Sequence, residues 1–287
     1  MLRWFTAGAL VSSMLPTFDQ FIIFGDSITQ QASAQESGFA FQPALQNACL
    51  CGSRFLWCDR ELKLGPKRAE YIRRLDVVNR GFRISGYTSP KGLVALGQFF
   101  PPASRDKTVF FGANDAVLPP YNQHVPLDKY RQSLKDIVTH EAVRAQGTKV
   151  LLLTPPPVNE YQLSSLDREK GFDSPSRTAK NTKVYADACR EVGNSLSIPV
   201  VDIWFAFMRE AGWKEGEPLA GSKDVPANEK LAALLSDGLH LSPAGYKVMH
   251  GEVMKVIRAS YPDDAPEKLP VLFPPFEEAP GLKADGQ

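Results

Sequence analysis

The chain alternates short, continuously apolar runs with longer segments whose apolar positions recur at helical spacing. Five runs stand out: residues 21–25 (FIIFG), 76–79 (DVVN), 108–113 (TVFFGA), 149–154 (KVLLLT) and 198–203 (IPVVDI). They are rich in Val, Ile, Leu and Phe and lack polar alternation, the pattern of parallel strands covered on both faces. Between them, residues 127–144 place Tyr130, Leu134, Ile137 and Val138 on one helical face, and residues 177–192 do the same with Val184, Ala188, Cys189 and Val192. Ser242-Pro243 offers an N-cap followed by proline at the first helical position. It opens a last helix that aligns Tyr246, Met249, Val253 and Ile257. Strand and helix in repeated alternation predict one α/β domain, a doubly wound three-layer sandwich around a five-stranded parallel sheet.

The pattern places this domain at residues 18–260, with residues 1–17 as an N-terminal extension. Two stretches break the rhythm. Residues 47–68 (NACLCGSRFLWCDRELKLGPKR) have mixed charge and no period, and read as an insertion. Residues 261–287 hold six of the 23 prolines and read as an extended C-terminal arm.

Composition narrows the function classes. The 287 residues carry 33 Lys+Arg against 32 Asp+Glu, a net charge of +1, so there is no cationic excess to neutralise nucleic-acid phosphates. A hydrophobic content of 43% is enough for a sizeable core and argues against disorder across the chain. Cys49, Cys51, Cys58 and Cys189 form no C-x-x-C pair, so free thiols are expected rather than a metal site. No run of 18 apolar residues occurs, so no membrane span is expected. Residues 1–14 resemble at most a weak leader, with the first core strand following closely; the cytoplasm is the default location.

The strand ends direct attention to the chemistry, because open α/β sheets bind ligands there. The first run leads into Gly25-Asp26-Ser27-Ile28, which exposes a serine hydroxyl just past a buried strand. The third leads into Gly112-Ala113-Asn114-Asp115, whose carboxamide can donate to a developing oxyanion at the same edge. After the second comes Asn79-Arg80-Gly81-Phe82-Arg83-Ile84-Ser85-Gly86, where glycine lets backbone approach a ligand. A serine needs a base. His140 and His250 fall in helical patterns, and His124 sits in a polar loop without an adjacent carboxylate. His240 follows Asp237 by three residues in a turn before the last helix, so Asp237 can fix its tautomer and leave the other nitrogen for Ser27. The chain has no G-x-S-x-G elbow, P-loop, zincin or dinucleotide fingerprint.

Four blocks, Gly25-Asp26-Ser27-Ile28, Gly86, Gly112-Ala113-Asn114-Asp115 and Asp237-Gly238-Leu239-His240, fall in the order and spacing of the GDSL/SGNH hydrolases. The sequence most resembles the isoamyl acetate-hydrolysing esterase branch, over about residues 18–280 apart from the insertion. The resemblance implies a sheet of flavodoxin-like strand order, Ser27 as nucleophile, His240 as general base and Asp237 as its orienting partner. It implies an oxyanion hole made by the Ser27 N–H, the Gly86 N–H and the Asn114 side chain. The implied activity is hydrolysis of small acetate-type carboxylic esters through an acyl-serine, with no metal or other cofactor and a small-molecule ester as the partner.

The chain departs from that branch in three places. The second block is two residues longer than Asn-Arg-Gly-x-Ser-Gly, residues 47–68 have no counterpart, and residues 101–107 ahead of the third strand are shorter than usual. These departures motivate an alternative, a folded but catalytically impaired relative that binds a ligand. The same residues would also serve an acyltransferase or a sugar deacetylase. The sequence is silent on oligomeric state.

Overall fold

The computed structural model describes residues 20–28, 54–55, 86–99, 106–145, 147–265 and 268. The protein is an α/β fold with a parallel sheet. Three strands of five or six residues form its body: β1 (Gln20–Gly25), β3 (Asp106–Phe110) and β4 (Lys149–Leu153). Two-residue strands flank them, β2 (Arg54–Phe55) beside β1 and β5 (Val200–Val201) beside β4, giving the order β2-β1-β3-β4-β5. All four pairings are parallel, with Gly25 opposite Phe110 and Val109 opposite Leu152.

Among the described residues the helices of four or more residues are α1 (Ser89–Phe99), α2 (Leu127–Thr139), α3 (Glu141–Arg144), α4 (Glu160–Glu169), α5 (Ala179–Leu196), α6 (Ile203–Glu210), α7 (Glu229–Leu234) and α8 (Pro243–Ser260). Alternate residues of the central strands face opposite layers. Val109, Val150 and Leu152 pack with Leu96 of α1, Tyr130, Leu134 and Ile137 of α2, and Val192 of α5. Phe110, Leu151 and Leu153 pack with Phe207 of α6, Leu231 of α7 and Tyr246, Met249 and Val253 of α8. With both faces covered, polar alternation in the strands would bury unpaired polar side chains, which is why the runs are continuously apolar.

Several expectations shift. The third strand begins two residues earlier than its apolar run and stops at Phe110, because Phe111 and Gly112 leave the ladder and residues 113–116 turn. The last run keeps only Val200–Val201 as strand; Asp202 caps α6 by accepting from the Phe205 N–H, so Ile203 is already helical. The second predicted strand, residues 76–79, lies outside the described residues. Its place beside β1 is taken by Arg54–Phe55, from the stretch read as an insertion. Of the face predicted for α5, Ala188, Cys189 and Val192 are buried and Val184 is exposed; the buried stripe also takes in Thr182, Tyr185 and Ala186. Alanine and threonine at those positions hid the true stripe from an apolar pattern. The 127–144 segment is two helices, broken at His140, whose ring accepts from the Ala142 N–H. In α8 all four predicted core residues are buried and Ser242 caps through the Gly245 N–H.

Cys189 is buried, and burial pushes its thiol up to about 12. Cys49, Cys51, Cys58 and residues 1–17 lie outside the described residues. The first residues of the C-terminal stretch lie on the domain: Tyr261 donates to the Val150 carbonyl and Asp264 pairs with Lys149. Among the described residues, no helix is long and apolar enough to cross a membrane.

Candidate active site

Ser27 follows β1 by two residues and is the first residue of a helical start capped by Asp26, whose Oδ1 accepts the Ile28 N–H at 3.0 Å. The last helix fixes the same corner from the opposite side, since the Tyr246 hydroxyl donates to the Ile28 carbonyl at 2.7 Å. His240 comes from the turn between α7 and α8, which an antiparallel bridge between Leu235 and Leu241 pinches shut. Gly238 makes that turn possible. Its φ is +88°, and a Cβ there would meet the Asn159 carbonyl and the Leu163 nitrogen at 2.6 Å.

The turn carries His240 to Ser27. Ser27 Oγ lies 3.0 Å from His240 Nε2, and His240 Nδ1 lies 2.7 Å from Asp237 Oδ2. The other carboxylate oxygen, Oδ1, accepts the Leu239 and His240 N–H groups at 3.0 and 2.8 Å. Partial burial pushes the Asp237 carboxyl up, but the hydrogen bonds from the His240 side chain and backbone outweigh it and hold the group down at about 2. An ionised carboxylate only accepts, so the proton of neutral His240 sits on Nδ1 and Nε2 faces the Ser27 hydroxyl as an acceptor.

Asn114 is buried and reaches Asp26, the residue before Ser27. Its Nδ2 donates to the Tyr87 carbonyl at 3.0 Å and, at a longer 3.3 Å, to Asp26 Oδ2. Its Oδ1 accepts from Arg177 Nη2 at 3.2 Å. Gly86 reaches the same edge with φ +77°, and its carbonyl accepts from Gln123 Nε2 at 2.9 Å. The rest of the second block, residues 79–85, lies outside the described residues. Ser27, Asp237 and His240 are thus joined by hydrogen bonds, Asn114 reaches Asp26 beside Ser27, and Gly86 adjoins Tyr87, whose carbonyl Asn114 holds. The other histidines sit elsewhere: His124 bonds the Val117 carbonyl, His140 caps α3 and His250 lies within α8.

Three polar residues under the site carried no role in the sequence. Burial raises the Asp26 carboxyl to about 7, with the Asp115 charge adding to the rise and the Ile28 N–H opposing it. Asp115 is held at about 6, again chiefly by burial, although it accepts from the Ser89 backbone and hydroxyl at 2.8 and 2.7 Å. Those bonds tie the start of α1, and so the Gly86 turn, to the Asn114 turn. Arg177 completes the set. Asp26 and Asp115 were visible as members of their motifs, but a lone Arg in a Ser- and Pro-containing loop gives no signal. Among the described residues, no three His, Cys, Asp or Glu side chains group as metal ligands.

The sequence model of the GDSL-like lipase/acylhydrolase family matches residues 23–248. A GDSL esterase/lipase of Arabidopsis thaliana is 31% identical over 89% of this chain and 91% of its own. A second Arabidopsis GDSL esterase/lipase is 35% identical over 68% of this chain and 78% of its own. The isoamyl acetate-hydrolyzing esterase of Saccharomyces cerevisiae is 29% identical over 88% of this chain and 91% of its own.

Proposed function

Since the chain belongs to the GDSL-like lipase/acylhydrolase family and is a carboxylic ester hydrolase, we propose that it cleaves small acetate-type esters through an acyl-serine on Ser27. The observation that carries this reading is the continuous bond path from Ser27 Oγ to His240 Nε2 and from His240 Nδ1 to Asp237.

In this reaction Ser27 Oγ attacks the ester carbonyl while His240 Nε2 takes its proton. The ionised Asp237 stabilises the imidazolium that results. The carbonyl oxygen becomes an anion facing the Ser27 and Gly86 N–H groups and Asn114 Nδ2, which exchanges its long bond to Asp26 for the stronger acceptor. Collapse breaks the bond to the alcohol, which leaves with the proton from His240. A water molecule, deprotonated by the same nitrogen, then attacks the acyl-serine, and the acid departs as His240 returns the proton to Ser27. The acetyl preference rests on the similarity to the yeast isoamyl acetate-hydrolyzing esterase.

Hydrolysis of p-nitrophenyl esters from acetyl to decanoyl tests the proposal, together with isoamyl acetate as an unactivated substrate. We expect the highest kcat/KM on the shortest acyl chains. Ser27→Ala and His240→Ala each lower kcat by about a million-fold. A fluorophosphonate probe labels the wild type at Ser27. A Ser27→Ala protein that hydrolysed the acetyl ester as fast as wild type would overturn the mechanism, and a maximum at decanoyl would overturn the substrate class.

A further inference from the structure

Arg177 precedes the N-cap of α5 and is only 4% exposed. Its guanidinium makes three bonds: Nε to the Ala113 carbonyl at 2.8 Å, Nη2 to Asn114 Oδ1 at 3.2 Å and Nη1 to Ser176 Oγ at 3.4 Å. Among the described residues, no carboxylate comes within ion-pair distance of it. A buried cation without a direct partner is costly, so its two bonds to consecutive residues of the Asn114 turn call for a physical account. The segment that presents it is itself fixed. Asp167 accepts from the Ser176 N–H and hydroxyl at 2.9 and 2.6 Å, the Ser176 carbonyl accepts the Leu118 N–H at 2.8 Å, and Asn181 Nδ2 reaches the Ala116 carbonyl at 2.7 Å. The 113–118 turn is therefore stapled along its length to residues 176–181.

We infer that Arg177 is a positioning residue for ester hydrolysis, which fixes the orientation of the Asn114 carboxamide and strengthens its N–H as an oxyanion donor. This rests on the reading of Asn114 given above. Guanidinium donates and never accepts, so it admits the Asn114 oxygen and rejects the nitrogen. A flipped carboxamide would set donor against donor at 3.2 Å and remove Nδ2 from the Ser27 side. A cation on the oxygen also draws electron density from the amide, and a chain of hydrogen bonds polarised in one direction makes its terminal donor stronger. That effect grows when negative charge develops on the substrate, so it lowers the barrier without tightening ground-state binding.

The test is a double-mutant cycle on the full chain with p-nitrophenyl acetate, with active sites counted by fluorophosphonate labelling. Arg177→Lys keeps the charge and loses the fork, while Arg177→Gln keeps an amide donor and loses the charge. Each is expected to lower kcat by about 10- to 100-fold with KM within about two-fold of wild type. In an Asn114→Ala background, the same substitutions are expected to lower kcat by no more than about two-fold. Equal losses in both backgrounds, no loss in the wild-type background, or failure of both variants to fold overturns the inference and leaves the triad reading intact. Full activity of Asn114→Ala alone overturns the inference together with the oxyanion reading on which it rests.

Discussion

The turn at residues 235–242 and the buried floor beneath the strand ends both hold aspartates close to Ser27, and they treat them in opposite ways. In the turn, Asp237 is one-third exposed and its carboxyl is held at about 2 by three hydrogen bonds from residues two and three positions away. In the floor, Asp26 and Asp115 are almost wholly buried, and their carboxyls rise to about 7 and 6. The turn is local in sequence and supplies charge. The floor joins segments near residues 26, 89, 114 and 177 and supplies orientation. Solvent contact and converging N–H groups let the turn keep its charge cheaply, whereas burial makes charge in the floor a liability.

The sharpest way to break this contrast is Asp237→Asn. The amide oxygen can still accept from the Leu239 and His240 N–H groups, so the turn and the fold should survive. The amide nitrogen would then face His240 Nδ1 and force the ring proton onto Nε2, leaving no acceptor for the Ser27 hydroxyl. We expect kcat to fall on the order of 10,000-fold with the melting temperature at pH 7 changed by only a few degrees. Steady-state kinetics and a thermal melt check both halves. A variant retaining a tenth of wild-type activity would mean that the turn's charge matters little.

Next in size is Asn114→Ala, which removes a donor from the floor without touching the turn. Its expected cost is about 100- to 1,000-fold in kcat, with Ser27 still labelled by the fluorophosphonate, though more slowly. Loss confined to KM would assign Asn114 to substrate binding.

The same contrast explains what the sequence made legible. Asp237 and His240 lie three residues apart in a turn ahead of a proline-started helix, so their partnership is written in local spacing. Ser27 and Asn114 each follow an apolar run, and the sheet rule places both at one edge. Arg177 has no comparable sign, because the hydrogen bonds that define its role reach 63 and 64 residues back along the chain. The part of the α5 stripe that the hydropathy pattern missed has a related cause. Thr182 and Ala186 are buried by the helices and strands around them, and neither side chain is apolar enough to announce it. The missing length of β5 reflects Asp202, whose capping bond ends the strand where the hydropathy continues.

Gly86 offers a smaller probe of the floor's geometry. At φ +77° a side chain costs on the order of 1 kcal/mol, while a Cβ would meet Gln123 Nε2 at 3.4 Å, an ordinary contact. Gly86→Ala should therefore fold, lose roughly 1–2 kcal/mol of stability in urea unfolding, and show kcat reduced by about ten-fold as its N–H shifts. Unchanged kcat despite the lost stability would remove the Gly86 N–H from the oxyanion hole.

The last expected effect is on stability alone, through pH, and it distinguishes the two regions without any substrate. A carboxyl raised from 3.8 to about 6 by folding keeps its proton in the native protein over a range where the unfolded chain has already released it. Native Asp115 therefore favours folding fully below pH 3.8, and that contribution is lost as pH rises through about 6; the loss totals about 3 kcal/mol. Asp26 acts with the same sign over 3.8 to about 7, whereas Asp237, held at about 2, gains its stabilisation below this window and stays constant across it. Asp115→Asn keeps an oxygen for the Ser89 N–H and hydroxyl and removes the titration. Removing the Asp115 charge also eases ionisation of Asp26, since that charge is one of the causes of its rise. Urea unfolding at pH 4, 5, 6 and 7 should show the variant losing less stability than wild type across the series. Parallel curves for the two proteins would mean that Asp115 is already ionised in the native state at pH 4, and that the floor tolerates charge as readily as the turn.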